Sequence, residues 1–417
     1  MPVAQLLEQR FADAVAAFGD LPTPIILAVS GGGDSTALMY LAAQVVPREA
    51  LVVVSVNHGL RAGATEEIAQ VARQAHALGL THHIEDWAWS GQGNLQAAAR
   101  EGRWACLRRI AVAQGARWVW TGHTEDDQLE TALMRLARGS GVDGLAGMSR
   151  RSLRDGLMIG RPLLGITRDD LREWLTGNGI GWSDDPSNDD PGFDRIRARQ
   201  MLPQLAALGL TRKRLLQTVD HMQAARMSLQ LAAQTFARDH VRQTAGDLLV
   251  SEAALELGGA DVPRRVFAAA VCWVAGQTYR PRFVQLRKAA DDARSGRTVT
   301  LGGVLISPEA AGSVRLTREA AATDETILTA GQEVIRWDHR WQIAGPFLPG
   351  MSVRALGEAV QDCPDWRATR LPRTTLLATP SVWQDGSLIA APLAGLGNGW
   401  SARIVADFHS GAFPIED

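Results

Sequence analysis

The chain has 417 residues, a formal net charge of −2 and only three cysteines. This length favours two or three domains over one core, and no apolar run reaches the roughly 18–20 residues that span a bilayer. Because the cysteines are scattered and the N-terminus lacks the pattern of a secretory signal, we expect a protein of the reducing cytoplasm, without a disulfide framework, an iron–sulfur cluster or a membrane partner.

The first distinctive feature is a glycine-rich turn between a predicted strand near 24–29 and a predicted helix near 35–45. It consists of six consecutive residues, Ser30, Gly31, Gly32, Gly33, Asp34 and Ser35. Three glycines let backbone N–H groups converge on one anion, and the positive end of the helix adds to the attraction. The turn lacks the lysine of a Walker A loop, and a carboxylate beside phosphates needs a divalent cation between them. We predict a phosphate-binding loop; the alternative is a tight turn with Asp34 as a helix cap.

Strands and helices then alternate through the first 180 residues. Further strands are predicted near 51–56, 82–85, 117–121 and 157–160, and helices near 65–78, 94–113, 126–138 and 168–178. This alternation indicates an α/β, Rossmann-like domain with a parallel sheet. In such sheets ligands bind at the carboxyl ends of the strands.

Charged side chains occur in clusters at two further places in this domain. Arg100 and Arg103 are three residues apart on one face of the helix near 94–113. His123 follows the strand near 117–121, and Asp127 and Glu130 share a face of the next helix. Each group also has an ordinary interpretation: surface charge for the arginines, a hydrogen-bonded turn residue for His123, and N-terminal capping for Asp127.

The second half divides at a predicted hinge near 203–209 and a polar linker at 320–331. A long helix is expected over 211–240, and short strands over 334–337, 341–344 and 387–390. We therefore predict a catalytic domain over 1–208, a helical domain over 209–325 and a small β-rich domain over 326–417.

Basic residues are concentrated between 193 and 226, where seven occur against two acidic ones. Such a stripe suits a polyanionic substrate, although a solvated helix face is an equal alternative. The candidates for nucleic-acid contact are Arg195, Arg197, Arg199, Arg212, Lys213 and Arg214.

The glycine-rich turn resembles the SGGxDS loop of the PP-loop (N-type) ATP pyrophosphatases. Over residues 24–203 the chain is also similar to the tRNA(Ile)-lysidine synthetases, through motifs in the same order. These motifs are VNHGLR (56–61), GHxxDDQxET (122–131), the glycine-rich run 139–148, RPLL (161–164) and DPSN (185–188). The similarity is looser over 260–305, where Tyr279-Arg-Pro-Arg282 is one of its motifs. Two positions depart from the family: Thr124 replaces a second histidine, and Ile196 replaces an asparagine between Arg195 and Arg197.

The resemblance implies an ATP-dependent ligase. Residues 30–35 would bind ATP, Asp34 and Asp127 would bind Mg²⁺ with Glu130 as an additional candidate, and His123 with Arg100 or Arg103 would stabilise phosphate charge. The implied partners are a tRNA(Ile) with a CAU anticodon and free L-lysine, which would be joined to C2 of the wobble cytidine. The oligomeric state is left open, a homodimer included.

Three other functions fit parts of the sequence. A sulfur-inserting PP-loop enzyme would use suitably placed cysteines, but the cysteines here are single. A PP-loop ligase for a small molecule would leave the basic segment and the long second half without a purpose. A nucleotide-binding regulatory module would not need the carboxylates of Asp34, Asp127 and Glu130.

Overall fold

The computed structural model describes residues 3–57, 59, 63–89, 91, 94–184, 192, 194–259, 261–277, 280–328 and 333–413. The motif residues His58, Leu60 and Arg61, the 185–188 motif and Tyr279 lie outside this range. The chain forms two compact units, of which the first ends at Arg226 and the second begins at Met227. The division into three domains remains a prediction.

The first unit combines one sheet with helices on both of its faces. Its elements are α1 (Val3–Ala16), β1 (Ile25–Ala28), α2 (Gly33–Val45), β2 (Leu51–Asn57), α3 (Ala64–Ala77), β3 (Thr81–Asp86), α4 (Leu95–Ala113), β4 (Trp118–Thr121), α5 (Glu125–Ala137), α6 (Val142–Leu145), β5 (Arg151–Arg154), β6 (Leu157–Gly160), α7 (Arg168–Gly177), α8 (Asp194–Ala207) and α9 (Arg212–His240), which continues into the second unit. Each strand and helix predicted in this region is present, within two residues at either end.

The strand order in the sheet is β3-β2-β1-β4-β6-β5. Neighbouring strands are parallel except β5, which pairs antiparallel with β6 at the edge. From β1 the strand order continues to β2 and β3 on one side and to β4 and β6 on the other, so the order of strands reverses at β1. A ligand is expected at the carboxyl ends of strands flanking such a point.

Alternate residues of β1 supply the two hydrophobic cores of this unit. Ile25 and Leu27 belong to a cluster with side chains of α1, α2 and α7, whereas Ile26 belongs to a cluster on the other face that includes Trp104 of α4. Burial on both faces explains why β1 reads as a continuous apolar run. The predicted parallel-sheet domain is confirmed.

The break predicted at 203–209 lies later than Pro203. That proline is inside α8, which ends at Ala207. The chain turns at Gly209, whose φ is 86°, before α9 starts.

The second unit combines two long helices with three antiparallel sheets. Its elements are β7 (Val241–Thr244), β8 (Asp247–Val250), α10 (Asp261–Ala275), α11 (Phe283–Arg294), β9 (Val299–Leu301), β10 (Val304–Pro308), β11 (Val314–Arg318), β12 (Thr326–Ile327), β13 (Val334–Trp337), β14 (Trp341–Ala344), β15 (Met351–Ala355), α12 (Arg373–Leu377), β16 (Pro380–Gln384), β17 (Ser387–Ala390), β18 (Ser401–Ile404) and α13 (Phe408–Gly411). The sheets have the orders β7-β8-β11-β10-β9, β12-β15-β16-β17 and β13-β14-β18.

The β-rich C-terminal region is confirmed, but the five-stranded sheet was not predicted from the sequence. Its strands are three to five residues long, which is too short for an alternating pattern to stand out from the flanking helices. Among the described residues, no helix is both long and apolar enough to cross a membrane.

Candidate active site

The glycine-rich loop joins the end of β1 to the start of α2, and its own hydroxyl groups hold it closed. Gly31 has a φ of 95°, a value that glycine takes without strain. The N–H of Ser30 donates to the hydroxyl of Ser35 (3.2 Å), which donates to the carbonyl of Gly32 (3.0 Å). Residues 30–35 therefore surround the N-terminal end of α2, where backbone N–H groups favour an anion.

The turn between β4 and α5 lies directly against this loop. A Cβ added to Gly122 would be 3.0 Å from the backbone nitrogen of Ser35 and 3.1 Å from the carbonyl carbon of Asp34. Both neighbours are backbone atoms, which cannot move aside cheaply. Gly122 therefore brings α5 to the mouth of the phosphate loop.

The segment before the 185–188 motif supports the loop from another side. The N–H of Ser183 donates to the carbonyl of Gly31 (2.9 Å). Trp182 lies over Gly33, where an added Cβ would be 3.4 Å from the indole ring. A strand-to-helix pattern in the sequence gives no sign of these contacts, because they depend on how distant segments pack together.

Three predicted carboxylates converge in front of the loop, and an unpredicted arginine lies between them. The Nε of Arg168 donates to Asp34 (3.0 Å), and its terminal nitrogens lie 3.7 Å from Asp127 and 3.6 Å from Glu130. Burial raises the pKa of Asp34, and Arg168 opposes that rise. This cluster has the composition of a site for a cation.

One feature of the sequence could have identified Arg168 as a site residue. It is the first residue of α7 and follows the capping residue Thr167, whose hydroxyl accepts the N–H of Asp170 (3.0 Å). A positive charge is unfavourable at a helix N-terminus. An arginine at that position therefore indicates a specific anionic partner.

Thr124, one of the two departures from the family, orients Asp127. Its N–H and its hydroxyl both donate to one carboxylate oxygen of Asp127, at 2.9 and 3.0 Å. Thr124 is completely buried. The hydroxyl thus fixes the position of the Asp127 carboxylate.

The donor set has the chemistry that Mg²⁺ prefers, since Asp34, Asp127 and Glu130 offer only oxygen ligands. Glu130 fits less well, because it is 1% exposed and accepts from Arg199 at 2.9 Å. Among the described residues, no three His, Cys, Asp or Glu side chains already have the arrangement of a metal site. A metal would have to take the place of the Arg168 guanidinium.

Basic groups form the opposite side of the site. Loss of surrounding water lowers the pKa of His123 to about 4; Arg161, Arg195 and Arg103 add to this effect and Asp127 opposes it. His123 is therefore neutral at pH 7, and its Nδ1 lies 2.8 Å from the hydroxyl of Thr121.

Arg103 is solvent-accessible, yet the protein surrounds it on most sides. This desolvation, followed by the charges of Arg100 and Arg195, lowers the pKa of Arg103. Crowded positive charge beside a phosphate loop is suited to phosphate binding. The structure thus brings Arg103 to His123, with the exposed Arg100 next to it.

The arginines of α8 point in different directions. Arg195 and Arg199, one helical turn apart, face α5: Arg195 lies 3.6 Å from Asp127, and Arg199 pairs with Glu130. Arg197 is exposed and pairs with Asp194 of its own helix. Ile196 is buried, so the second departure from the family contributes to packing.

The three basic residues that open α9 also differ. Arg212 pairs with Asp126 (2.8 Å) and Glu125 (3.3 Å) at the start of α5. Lys213 and Arg214 are exposed. Arg212 thus links α9 to α5, whereas Lys213 is exposed and Arg214 is exposed but donates to the nearby carbonyl of Gly209 (2.9 Å).

The glycine-rich run 139–148 is held by long side chains of α5 and α9. Gln128 exchanges two hydrogen bonds with the backbone of Met148, at 2.6 and 2.7 Å. Gln223 donates to the carbonyl of Ala146 (3.0 Å), and Arg135 donates to that of Gly147 (2.8 Å). The start of α9 is therefore attached to the helix that carries Asp127.

A family model described as a PP-loop domain matches residues 4–205. The chain is 44% identical over 396 residues to the tRNA(Ile)-lysidine synthase of Ruegeria pomeroyi, an alignment that covers 93% of this chain and 94% of that protein. The tRNA(Ile)-lysidine synthase of Bradyrhizobium diazoefficiens is 46% identical over 211 residues, which are 49% of this chain and 57% of that protein.

Among solved structures, the U34-tRNA thiolase NcsA of Methanococcus maripaludis matches with a TM-score of 0.44 and 17% identity, over 53% of this chain and 79% of that one. The relative from Ruegeria pomeroyi matches along nearly its whole length. The chain therefore belongs to the tRNA(Ile)-lysidine synthase family.

Proposed function

We propose that this enzyme uses ATP to join lysine to C2 of the wobble cytidine in a tRNA(Ile) with a CAU anticodon. The products are lysidine at that position, AMP and diphosphate. The observation that carries the proposal is a phosphate loop with acidic groups on one side and basic groups on the other, in a chain of this family. Mature tRNA and free lysine meet in the cytoplasm, which we propose as its location.

In the first step, O2 of the cytidine attacks the α-phosphate of ATP. A bond forms between O2 and phosphorus, and the bond to the diphosphate breaks. Negative charge on the phosphate oxygens is stabilised by the start of α2 and by the guanidinium groups of Arg103 and Arg195. A neutral His123 contributes one N–H, which requires that the Thr121 hydroxyl donates to Nδ1.

In the second step, the ε-amine of lysine, after losing a proton, attacks C2 of the adenylated cytidine. A C–N bond forms and the C2–O2 bond breaks, so that the former O2 leaves as part of AMP. Adenylation makes C2 reactive because AMP is a far better leaving group than the unmodified oxygen. The same site serves both steps.

Asp34 and Asp127 are the proposed ligands of Mg²⁺. When bound, the metal would neutralise phosphate charge during adenylation. The buried pair with Arg199 supports a structural part for Glu130, so its part as a ligand remains a prediction.

The exposed residues Arg197, Lys213 and Arg214 are the proposed contacts to tRNA phosphates. The pairs of Arg199 with Glu130 and of Arg212 with Asp126 support a part in holding α5. Contact of these two arginines with tRNA remains a prediction. Arg195 belongs to the reaction site, since it lies beside Asp127. A homodimer remains a prediction that light scattering can test.

The decisive experiment measures incorporation of radiolabelled lysine into purified tRNA(Ile) bearing a CAU anticodon. We expect label only when ATP is present, with one AMP released per lysine bound. A tRNA(Ile) with a GAU anticodon is the matched control, because it lacks the wobble cytidine. Absence of label above this control would reject the proposal.

A further inference from the structure

The backbone and the side chain of Arg168 have different binding partners. Its N–H donates to the carboxylate of Asp126 (2.8 Å), and Thr167 caps α7 at the same point. Its guanidinium makes one contact of hydrogen-bond length, to Asp34, and two longer ones, to Asp127 and Glu130. The guanidinium can therefore leave the carboxylates while α7 stays where it is.

One guanidinium does not fully compensate the carboxylates that it contacts. Asp34, Asp127 and Glu130 all lie within 3.7 Å of this single positive charge. Glu130 has a second partner in Arg199 at 2.9 Å, and Asp127 has Arg195 at 3.6 Å. Asp34 is the carboxylate that relies most on Arg168.

We propose that Arg168 is the resident counter-cation of the free enzyme, occupying the place between Asp34 and Asp127 that a divalent cation takes when ATP binds. The inference rests on the proposed function only for the identity of that cation. A metal ion arriving alone must displace the guanidinium and leave it unpaired. Metal that arrives with ATP brings phosphates, which give the guanidinium a new anionic partner. Arg168 thus makes metal binding depend on the nucleotide.

The test is a titration of the full chain with Mn²⁺ in the absence of nucleotide, followed by electron paramagnetic resonance of the free ion. We expect Arg168→Met to bind Mn²⁺ at least about tenfold tighter than the unchanged enzyme, since a competing positive charge is removed. Arg168→Lys, which keeps the charge, should bind it as weakly as the unchanged enzyme.

Arg172→Met is the matched control. Arg172 lies one turn further along α7 and pairs with the exposed Asp184 at 3.0 Å. Its removal changes the net charge equally, and Arg172 acts on Asp34 only through a longer-range charge interaction, without a hydrogen bond. Because an exposed charge is screened, we expect Mn²⁺ affinity to rise by less than about twofold. Equal gains for Arg168→Met and Arg172→Met would overturn the proposal. Asp34→Asn combined with Arg168→Met should abolish the gain.

Thermal unfolding provides a second measurement if Arg168→Met is unstable. Mg²⁺ should raise the Tm of Arg168→Met and leave that of the unchanged enzyme nearly constant. A Tm of Arg168→Met that does not respond to Mg²⁺ contradicts the inference. Lysine incorporation tests the proposed function separately, because the Mn²⁺ result needs neither tRNA nor lysine.

Discussion

At the scale of single residues, the site depends on protonation states that its surroundings impose. His123 lies among Arg103, Arg161 and Arg195, and loss of water lowers its pKa to about 4. A neutral imidazole carries one proton, and the Thr121 hydroxyl, which can donate to Nδ1 or accept from it, occupies that nitrogen and leaves Nε2 for the proposed phosphate. Thr121 is therefore expected to act on catalysis through His123.

Replacing Thr121 by Val should reduce adenylation without much change in ATP binding. The side chains have similar size, but valine cannot hold the His123 tautomer. We expect the kcat of tRNA-dependent diphosphate release to fall about tenfold, the scale of one lost hydrogen bond, with the KM for ATP nearly constant. Thr121→Ser is the control that keeps the hydroxyl. Full activity of the valine variant would refute this link.

The low pKa of His123 also predicts how stability depends on pH. In the unfolded chain the imidazole takes up a proton below its ordinary pKa of about 6.5, whereas in the folded protein it does so only near 4. The stabilisation is therefore complete above about pH 6.5 and is lost as the pH falls towards 4. We expect the loss to be on the order of 1–2 kcal/mol after allowing for solvent screening.

Urea unfolding at pH 7.5 and pH 5 measures this effect. The free energy of unfolding of His123→Asn should depend less on pH over that interval than that of the unchanged protein. Equal slopes in the two proteins would show that folding does not lower the pKa of His123.

At the scale of elements, four other helices contact the N-terminal end of α5 directly or through a side chain. Gly122 lets it touch the start of α2, Arg168 reaches it from α7, and Arg199 and Arg212 reach it from α8 and α9. Asp126 illustrates the result: burial would raise its pKa, but the bonds from Arg212 and from the N–H of Arg168 outweigh this and lower it.

Gly122→Ala should disturb the ATP site more than the fold. The added Cβ would lie 3.0 Å from a backbone nitrogen of the phosphate loop, so α5 or α2 must shift. We expect the KM for ATP to rise about tenfold or more, and the free energy of unfolding to fall by about 1–3 kcal/mol. Gly115→Ala is a useful control, because space around that glycine is open but its φ of 68° imposes backbone strain. A comparable rise in the KM for ATP in both variants would mean that the contact with α2 is unimportant.

At the scale of the whole molecule, the two units differ in what they contain. The first contains every predicted site residue. The second is held together by a buried network: Asp247 of β8 accepts from Thr375 of α12 (2.6 Å) and Arg315 of β11 (3.2 Å), and Arg340 donates to the carbonyl of Gly246 (2.7 Å). These bonds join regions on both sides of the predicted linker at 320–331, which explains why they form one unit.

Binding of tRNA should depend on local rather than total charge, since the net charge is only −2. Replacing Lys213 and Arg214 together by Ala should weaken tRNA binding and reduce its salt slope by roughly 0.7–0.9 for each lost phosphate contact. The KM for ATP should barely change. The control is the double variant Arg48→Ala and Arg117→Ala. These exposed arginines lie just before β2 and β4, at the N-terminal ends of the strands and so away from the phosphate loop. An equal effect of both pairs would contradict the proposed RNA surface.

The sequence by itself determined the α/β domain, the phosphate loop and the family, because these depend on local periodicity and on residues adjacent in the chain. The strand pattern placed His123 at the end of the sheet where ligands bind, and the family resemblance implied that Asp34 and Asp127 act together.

Only the tertiary structure decided which charges are partners. Arg168 and Asp34 are 134 residues apart in sequence yet share a hydrogen bond. Arg199 and Arg212 are candidates for nucleic-acid contact from the sequence, and the fold shows that both also pair with carboxylates of α5. Side-chain pairing depends on how helices α5, α7, α8 and α9 pack, and no local pattern in the sequence records that packing.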